Sequence, residues 1–146
     1  MDSLRIRSAE PGDKTALSRL LEQLGYPTSA DEIPERIEKL HARPGTTVLV
    51  AEDDREVLGV VTVHLFQSIH AREPVAWLTT LVVEETARGR GVGSALVARA
   101  EDWAIQNGAV RMSLTSALRR KDAHDFYKAR DYEHTGVRLT KVFSKP

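Results

Sequence analysis

The sequence predicts a mixed α/β fold with a mostly antiparallel central sheet flanked by helices. Apolar residues recur at helical spacing in residues 16–40, switch to strand-like runs in residues 47–83, and alternate between the two patterns after residue 92. These three observations predict the element order β-α-α-β-β-β-α-β-α-β. With 146 residues the chain can bury one core without disulfides, so we expect a single domain over residues 1–146.

The amino-terminal half of the chain predicts a strand, two helices and a strand hairpin. Each helix shows apolar residues at helical spacing and is followed by a glycine or proline that ends it. The hairpin shows two runs of apolar and β-branched residues around an Asp-Asp-Arg turn. The predicted elements are a strand at residues 4–7, helices at 16–24 and from about 29 to 43, and hairpin strands at 47–51 and 57–66.

The carboxyl-terminal half predicts a buried strand followed by alternating helices and strands. Residues 75–83 are almost continuously apolar, which is typical of a strand buried on both faces at the centre of a sheet. A glycine-rich turn and an amphipathic helix follow, and Asn107-Gly108 ends that helix. The remaining predicted elements are a strand at residues 110–114, a helix from about Lys121, and a terminal strand from Tyr132 to Phe143.

The composition excludes several kinds of protein. Charged residues balance to a net charge of zero, which removes the electrostatic reason to expect nucleic acid or an anionic membrane as a partner. The absence of cysteine excludes disulfides, thiolate metal sites and a cysteine nucleophile, and the five histidines lack metal-ligand spacing. No leader-like start or membrane-length apolar run is present in the sequence. We therefore expect a cytoplasmic protein that acts on small molecules without a metal.

The glycine-rich turn after the apolar strand predicts a phosphate cradle. Glycines let the backbone approach an anion and adopt positive φ angles, and the first amides of the next helix point at the same place. Two arginines would add charge-assisted contacts. A solvated turn in which the glycines only cap their elements is the alternative. The residues of the turn are Arg88, Gly89, Arg90, Gly91, Val92, Gly93 and Ser94.

The spacing within the turn indicates which kind of phosphate-containing ligand it would bind. The turn lacks the G-x-G-x-x-G order of dinucleotide sites and the lysine of nucleoside-triphosphate loops. What remains is R-x-x-G-x-G, with Arg88, Gly91 and Gly93 in the fixed positions. This pattern resembles the pyrophosphate-binding signature of the GCN5-related N-acetyltransferase (GNAT) family, which holds acetyl-coenzyme A (acetyl-CoA). The predicted element order is also that of the family, and the resemblance is strongest from about Leu78 to Tyr132.

The resemblance implies roles for three residues before the turn. In the family a bulge separates the central strand from the next strand, and the pantetheine arm of the cofactor lies in the gap. Leu81-Val82-Val83 matches this place, so backbone groups of Leu81 and Val83 are expected to pair with the pantetheine amides. The amide of Leu81 or of its neighbour is expected to polarise the thioester carbonyl. The side chains of Leu81 and Val83 are expected to pack in the core.

Residues 120–128 resemble a second family element, N-x-x-A-x-x-x-Y. Ala123 and Tyr127 match it, and their four-residue spacing puts them on one helical face. The resemblance implies that Arg120 and Ala123 border the cofactor and that Tyr127 is the general acid that protonates the departing thiolate. A tyrosine that packs at the rim of the core is the alternative. Arg120 replaces the Asn that many family members carry; it would meet a coenzyme phosphate instead, and a solvated charge at the helix end is the alternative. Asp131 replaces a family Gly.

The resemblance leaves the base that deprotonates the amine unidentified. Thr79 stands where family members that acetylate aminoglycosides often carry Glu. An alkylammonium with a pKa near 10 must lose a proton before it attacks, so a base or a water relay is still required. The weaker candidates, for each of which a solvated surface side chain is the alternative, are His64, His70, Glu73, Glu84 and His124.

These features predict an acetyl-CoA-dependent N-acetyltransferase that moves an acetyl group to a primary amine by direct attack in a ternary complex. The acceptor is expected to be a small molecule or a peptide amine, bound over the central strand beside the first two helices and the loop of residues 67–74. A non-catalytic acyl-CoA sensor or interaction module is the alternative, and transfer of a longer acyl group or transfer to an alcohol stays open. An exposed terminal strand or helix would allow a homodimer.

Overall fold

The computed structural model describes residues 3–115 and 121–144, which form two compact units. The first unit, Met1–Ser113, holds three helices and most of a sheet, and the second, Leu114–Pro146, holds one helix. The single domain expected over residues 1–146 stays a prediction. The elements are β1 (Arg5–Ser8), α1 (Lys14–Leu24), α2 (Ile33–Ala42), β2 (Thr46–Asp53), β3 (Glu56–Phe66), β4 (Val75–Val83), α3 (Val92–Gln106), β5 (Met112–Leu114) and α4 (Lys121–Lys128).

The sheet has five strands in the order β1-β2-β3-β4-β5, and β1 to β4 are antiparallel to their neighbours. Val110 N donates to Pro74 O at 3.2 Å, and Ala76 N donates to Arg111 O at 2.9 Å, so residue numbers rise together along β4 and the segment leading into β5. β5 is therefore parallel to β4, and α3 makes the crossover that a parallel pair needs. The predicted mixed, mostly antiparallel sheet is confirmed.

A bulge interrupts the pairing of β3 with β4. Thr62 pairs with Thr80, but the next residue of β3, Val63, pairs with Leu78, so Thr79 is an extra residue on β4. An extra residue of this kind bends its strand and disturbs the regular alternation of side chains. The bulge lies in the middle of β4, just before the segment for which the sequence predicts the cofactor contact.

The helices pack on opposite faces of the sheet, because successive side chains of a strand point to opposite faces. On one face Val48 and Val50 of β2 pack with Leu20 of α1 and Ile37 of α2. Leu49, between the two valines, lies against residues of α3 on the other face. The core therefore has two layers, one under α1 and α2 and one under α3. The residues that α3 buries are Val92, Leu96, Val97, Ala100 and Ala104.

Each face of β4 is buried over part of its length, so the burial predicted for both faces is incomplete. The strand is interior, between β3 and β5, as predicted. Ala76, Leu78 and Val82 are buried, whereas Leu81 and Val83 are half-buried. The core packing expected for the last two side chains is therefore incomplete. An apolar strand does not have to be covered by a helix along its whole length, because apolar atoms also form much of a protein's surface.

The predicted terminal strand from Tyr132 to Phe143 is wrong, because the structure has no strand in residues 132–144. Its alternating apolar side chains are exposed, with 86% exposure for Val137 and 90% for Leu139. Alternation indicates which side chains share a face, but a strand forms only where a neighbouring strand takes up its backbone hydrogen bonds. The observed order of helices and strands matches the predicted order as far as α4.

Three helices end in the same pattern, in which the residue after the last turn has a positive φ angle. In α1 this residue is Gly25, with φ 105°, and in α3 it is Gly108, with φ 88°. In α4 it is Asp131, with φ 67°, next to a hydrogen bond of 3.1 Å from Tyr132 N to Tyr127 O. Asp131 thus holds the left-handed conformation that glycine adopts at the ends of the other two helices.

Candidate active site

The turn before α3 has room for a ligand against its backbone. Gly89 has φ 80° and Gly91 has φ 85°, in the left-handed region that favours glycine. No atom lies within 4 Å of the position that a Cβ would take at either residue. A side chain at these positions would strain the backbone and occupy the open space.

α3 begins directly after Gly91 and offers an anion-binding amino terminus. The first internal hydrogen bond runs from Ala95 N to Gly91 O at 3.0 Å, so the amides of Val92 and Gly93 have no acceptor within the helix. The first turn of α3 contains no acidic side chain. The positive end of the helix dipole therefore suits an anionic ligand.

Gly59 determines how closely the start of α3 approaches the sheet. A Cβ at this buried position of β3 would lie 2.8 Å from Leu96 Cδ1, 3.1 Å from Val82 O and 3.3 Å from Val92 Cγ1. The amino terminus of α3 therefore packs on β3 because residue 59 has no side chain. Sequence reasoning missed this position, although a glycine inside an apolar strand is a signal of close approach.

Both arginines of the turn contact residues at the ends of strands. Arg88 Nε donates to Val83 O at 3.2 Å, which ties the turn to the end of β4. Arg90 lies 4.0 Å from the carboxylate of Asp53 at the end of β2, and its side chain is 50% exposed. An exposed ion pair of this length contributes little to stability. Since a guanidinium group has five N–H donors, both arginines keep donors for an anion.

The backbone groups of Leu81 and Val83 point away from β3. Glu84 N donates to Leu58 O at 2.7 Å, which makes Leu58 and Glu84 a hydrogen-bonded pair across the two strands. Such pairs alternate with non-bonded pairs in an antiparallel ladder, so Leu81 and Val83 direct their N–H and C=O groups to the β5 side. The bond that Val83 O accepts from Arg88 agrees with this direction.

Glu84 anchors α1 to the start of the turn. Its carboxylate accepts hydrogen bonds from the Gln23 amide, from Arg19 Nε at 2.9 Å and from Glu85 N at 2.9 Å. The Gln23 hydrogen bond is the largest cause that lowers the pKa of Glu84, and Glu85 N and Arg19 lower it further against the effect of burial. A lowered pKa makes Glu84 a weaker base. Sequence reasoning missed Arg19 and Gln23, whose i,i+4 spacing puts them on one face of α1.

His64 bridges three strands at the bulge of β4. Its Nε2 lies 3.0 Å from Thr79 Oγ1 and its Nδ1 lies 3.3 Å from Thr46 Oγ1. Burial lowers the pKa of His64, and the positive charge of Arg43 lowers it further. Because the ordinary pKa of histidine is about 6.5, the imidazole is mostly neutral at pH 7.

Two aromatic rings extend this cluster along the ends of β3 and β4. The rings of His64 and Phe66 are 6.2 Å apart, and the ring of Trp77 meets that of Phe66 edge-on at 6.5 Å. Phe66 is 47% exposed, and Thr79 is also exposed. We refer to Thr46, His64, Phe66, Trp77 and Thr79 as the His64 cluster. It presents neutral polar atoms and apolar rings to the solvent.

The second unit contains Tyr127, the predicted general acid. Its half-buried ring lies 5.3 Å from the ring of Phe126 and 5.7 Å from that of Tyr132. Ala123, one turn earlier in α4, is also half-buried. The predicted contact of Arg120 lies outside the described residues. Within this unit, the neighbouring rings restrict the ring of Tyr127.

The family assignment follows from comparisons with known proteins. The sequence model of the acetyltransferase (GNAT) family matches residues 15–132. The chain belongs to this family. An aminoalkylphosphonate N-acetyltransferase of Salmonella typhimurium is 34% identical over 99 residues, which cover 68% of this chain and 64% of that relative. The match therefore spans slightly less than two thirds of the length of that relative.

Two further proteins match along most of the chain, one in sequence and one in fold. An aminoglycoside N(6′)-acetyltransferase of Stenotrophomonas maltophilia is 30% identical over 134 residues, which cover 89% of this chain and 86% of that protein. A crystal structure of glucosamine-6-phosphate N-acetyltransferase from Arabidopsis thaliana superposes with a TM-score of 0.84 at 20% identity. That superposition covers 97% of this chain and 99% of the other, and at this identity it shows a shared fold.

The predicted site residues of this GNAT chain fall into three groups. Leu81, Val82 and Val83 end β4, and the turn of residues 88–94 follows them in the same unit. Ala123 and Tyr127 belong to the second unit, and Arg120 is not described. The roles of all these residues stay predictions.

Two features are absent from the described part of the chain. Over residues 3–115 and 121–144, no group of three or more His, Asp or Glu side chains is placed to hold a metal ion. No helix in the same ranges is long and apolar enough to span a bilayer.

Proposed function

We propose that the chain is an acetyl-CoA-dependent N-acetyltransferase that transfers an acetyl group to a small primary amine within a ternary complex. The observation that carries the proposal is the junction of β4 with the turn before α3. There, outward-facing backbone groups of Leu81 and Val83 adjoin a glycine turn and a helix amino terminus. An extended ligand with amide groups at one end and a pyrophosphate at the other fits this arrangement.

The residues that would hold acetyl-CoA follow from that arrangement. The amides of residues 91–94 and the remaining donors of Arg88 and Arg90 suit the pyrophosphate. The N–H and C=O groups of Leu81 and Val83 suit the pantetheine amides, as in the addition of an extended segment to a strand. Acetyl-CoA supplies the activated acetyl group, and the amide of Leu81, which points away from β3, is proposed to donate to the thioester carbonyl.

Tyr127 is proposed as the general acid of this reaction. Its place in the family motif and its half-buried ring support this role. A phenol with a pKa near 10 that protonates a thiolate near 8.5 is at a disadvantage of about 2 kcal/mol. A hydrogen bond between the hydroxyl and the developing thiolate would offset part of that cost.

The acceptor proposed here is a small primary amine. Two relatives are named for the acetylation of such compounds, an aminoalkylphosphonate and an aminoglycoside. The exposed surface of the His64 cluster lies beside Thr80 and Leu81 on β4, where an amine would meet the thioester. Its rings offer faces to a cationic group before deprotonation.

Calorimetry with acetyl-CoA and with desulfo-CoA tests the coenzyme site. We expect Gly91→Asp to weaken the binding of both ligands by at least about tenfold, or about 1.4 kcal/mol. The substitution puts a side chain on a residue with a positive φ and adds a negative charge at the proposed phosphate cradle. Gly136→Asp is the control for the added charge, at an open position that is not among the residues proposed to hold the coenzyme. Absence of binding to the unsubstituted protein, or unchanged binding by Gly91→Asp, would contradict the site.

A thiol-release assay then separates an enzyme from a sensor. The panel consists of aminoalkylphosphonates, aminoglycosides, polyamines, amino acids and peptides, each with acetyl-CoA. We expect release of CoA with at least one amine, with the acetylated amine identified by mass. Coenzyme binding without turnover across the panel would favour the non-catalytic acyl-CoA sensor.

A further inference from the structure

We propose that His64 is the general base that deprotonates the acceptor amine, with the hydroxyl of Thr79 as the relay between them. This inference rests on the proposed N-acetyltransferase function. It adds a catalytic residue on β3, a strand that carries none of the residues proposed to hold the coenzyme. The relay residue comes from the bulge of β4.

The bulge places Thr79 close to the proposed reaction centre. Thr79 is two residues from Leu81, and two residues of a strand span about 6–7 Å. Its side chain is exposed, yet Oγ1 is 3.0 Å from His64 Nε2. The hydroxyl therefore meets solvent on one side and the imidazole on the other. Thr79 is the residue that the bulge leaves without a partner on β3, between Leu78 and Thr80, which pair with Val63 and Thr62.

The two threonines that flank His64 are compatible with an imidazole that accepts a proton at Nε2. In the base form, Thr79 donates its hydroxyl hydrogen to Nε2, and Nδ1–H donates to Thr46 Oγ1 at 3.3 Å. A lone pair of Thr79 Oγ1 is then free to accept a hydrogen bond from an ammonium group. Thr46 fixes the tautomer from β2, which makes it a positioning residue.

The charges around His64 favour its neutral form. Among the described residues, the charge that acts on the imidazole is that of Arg43, which follows α2. The side chains that meet it from β2 and β4 are those of Thr46 and Thr79, which do not titrate near neutral pH. The neighbouring ring of Phe66 on β3 is likewise uncharged. Within residues 3–115 and 121–144 no carboxylate acts on the imidazole to stabilise its protonated form, so the proton it accepts is readily released.

Every proton in the proposed acetyl transfer has a donor and an acceptor. The ammonium gives one proton to Thr79 Oγ1 as the Thr79 hydroxyl hydrogen moves to His64 Nε2, which leaves a neutral amine and an imidazolium. The amine lone pair forms the C–N bond, the C–S bond breaks, and the thiolate is protonated through Tyr127, which regains its proton from the acylated nitrogen. His64 then releases its proton to solvent, so the net products are an amide, a thiol and one proton.

The other candidate bases in the first unit are less suited to this role. Glu84 is held by Gln23, Arg19 and Glu85 N, and its pKa is lowered. His70 and Glu73 are exposed side chains of the loop between β3 and β4. Of these groups, His64 is the one joined by a hydrogen bond to an exposed hydroxyl at the bulge.

The pH dependence of kcat/KM, measured with the most active amine of the panel, tests the proposal. With a working base, kcat/KM should be level from above the lowered pKa of His64 up to the pKa of the amine near 10. In His64→Gln only free amine reacts, so log kcat/KM should rise by one per pH unit across this range. The loss should be about 100-fold at pH 7 and should diminish as the pH rises.

Two threonine variants and a control histidine complete the experiment. Thr79→Val should reproduce the sloping profile, and Thr79→Ser should restore the level region. His41→Gln, which replaces an exposed histidine 3.5 Å from Ser8, should leave the profile unchanged. Circular dichroism and the Kd for acetyl-CoA verify that each variant is folded.

The outcomes distinguish failure of this inference from failure of the proposed function. Turnover with a level profile in His64→Gln or in Thr79→Val overturns the inference and leaves the acetyltransferase standing. Coenzyme binding without turnover by the unsubstituted protein overturns both. A sloping profile in both variants, with rescue by Thr79→Ser, supports the relay.

Discussion

Single side chains determine the proposed chemistry. Thr79 stands where aminoglycoside-acetylating family members often carry a carboxylate, and the structure has a neutral imidazole, that of His64, next to it on the adjacent strand. The sequence includes His64 among five candidate bases but does not distinguish it from the others. What distinguishes it is the hydrogen bond to Thr79 between β3 and β4, and that contact depends on strand register rather than on residue type.

Tyr127→Phe tests the proposed general acid. Removal of the hydroxyl should lower kcat by about 100-fold, the smaller end of the usual range for general acid catalysis, and leave the Kd for acetyl-CoA within about twofold. Tyr132→Phe is the matched control because it keeps the ring that packs against Tyr127. Steady-state kinetics and calorimetry measure the two quantities. Undiminished turnover in Tyr127→Phe would rule out the catalytic role.

At the scale of the elements, residue periodicity predicted most of the fold. The helices over 14–24, 33–42 and 92–106 and the strands of the hairpin each have their own pattern of apolar residues, and each formed close to its predicted bounds. The predicted terminal strand did not form. Its alternating pattern indicates which side chains share a face, but it does not supply a neighbouring strand for the backbone hydrogen bonds. The burial predicted for both faces of β4 is incomplete for a related reason, since the cover over each face of a strand comes from other elements.

Asp131→Gly should stabilise the end of α4. A non-glycine residue in the left-handed region costs about 1–2 kcal/mol, although aspartate tolerates it better than most, so we expect a gain of about 1 kcal/mol. The reciprocal change at the end of α1, Gly25→Asp, should cost a similar amount. Urea unfolding followed by circular dichroism measures both. A lower free energy of unfolding for Asp131→Gly would show that the Asp131 side chain contributes more than the strain costs.

At the scale of the whole molecule, a partly buried ion pair joins the edge of the sheet to the start of α1. Arg7 of β1 donates two hydrogen bonds of 2.9 Å to Asp13, just before α1, and one of 3.3 Å to Glu52 of β2. Asp13 is 9% exposed and also accepts from Glu10 N at 2.8 Å. Burial opposes ionisation of Asp13, but the hydrogen bonds from Arg7 and Glu10 outweigh it and lower its pKa.

Asp13 should therefore make stability depend on acid pH. Because its pKa is lower in the folded chain than its ordinary value near 4, its contribution is present above pH 4 and is lost as the pH falls through the folded value. Asp13→Asn should cost about 3 kcal/mol at pH 7 and flatten the acid side of the stability curve. Urea unfolding between pH 2 and 7 measures this. The exposed Asp102→Asn is the control, and a parallel curve for Asp13→Asn would exclude the pair as the cause.

The candidate site was predictable to the extent that it is local in sequence. The R-x-x-G-x-G turn places Arg88, Gly91 and Gly93 beside one another by chain connectivity, so spacing was enough to find it. The anchor of Glu84 by α1 joins residues more than 60 positions apart. Such contacts follow from the packing of distant elements, which spacing along the chain does not reveal.

Gly59 has a consequence for mutational scanning. Alanine is usually chosen because it removes atoms, but at this position it would add a methyl group between β3 and the first turns of α3. An alanine scan would therefore report steric interference at residue 59 while reporting lost contacts elsewhere. Loss of coenzyme affinity there would identify a position that acts by leaving space for the helix proposed to bind the coenzyme.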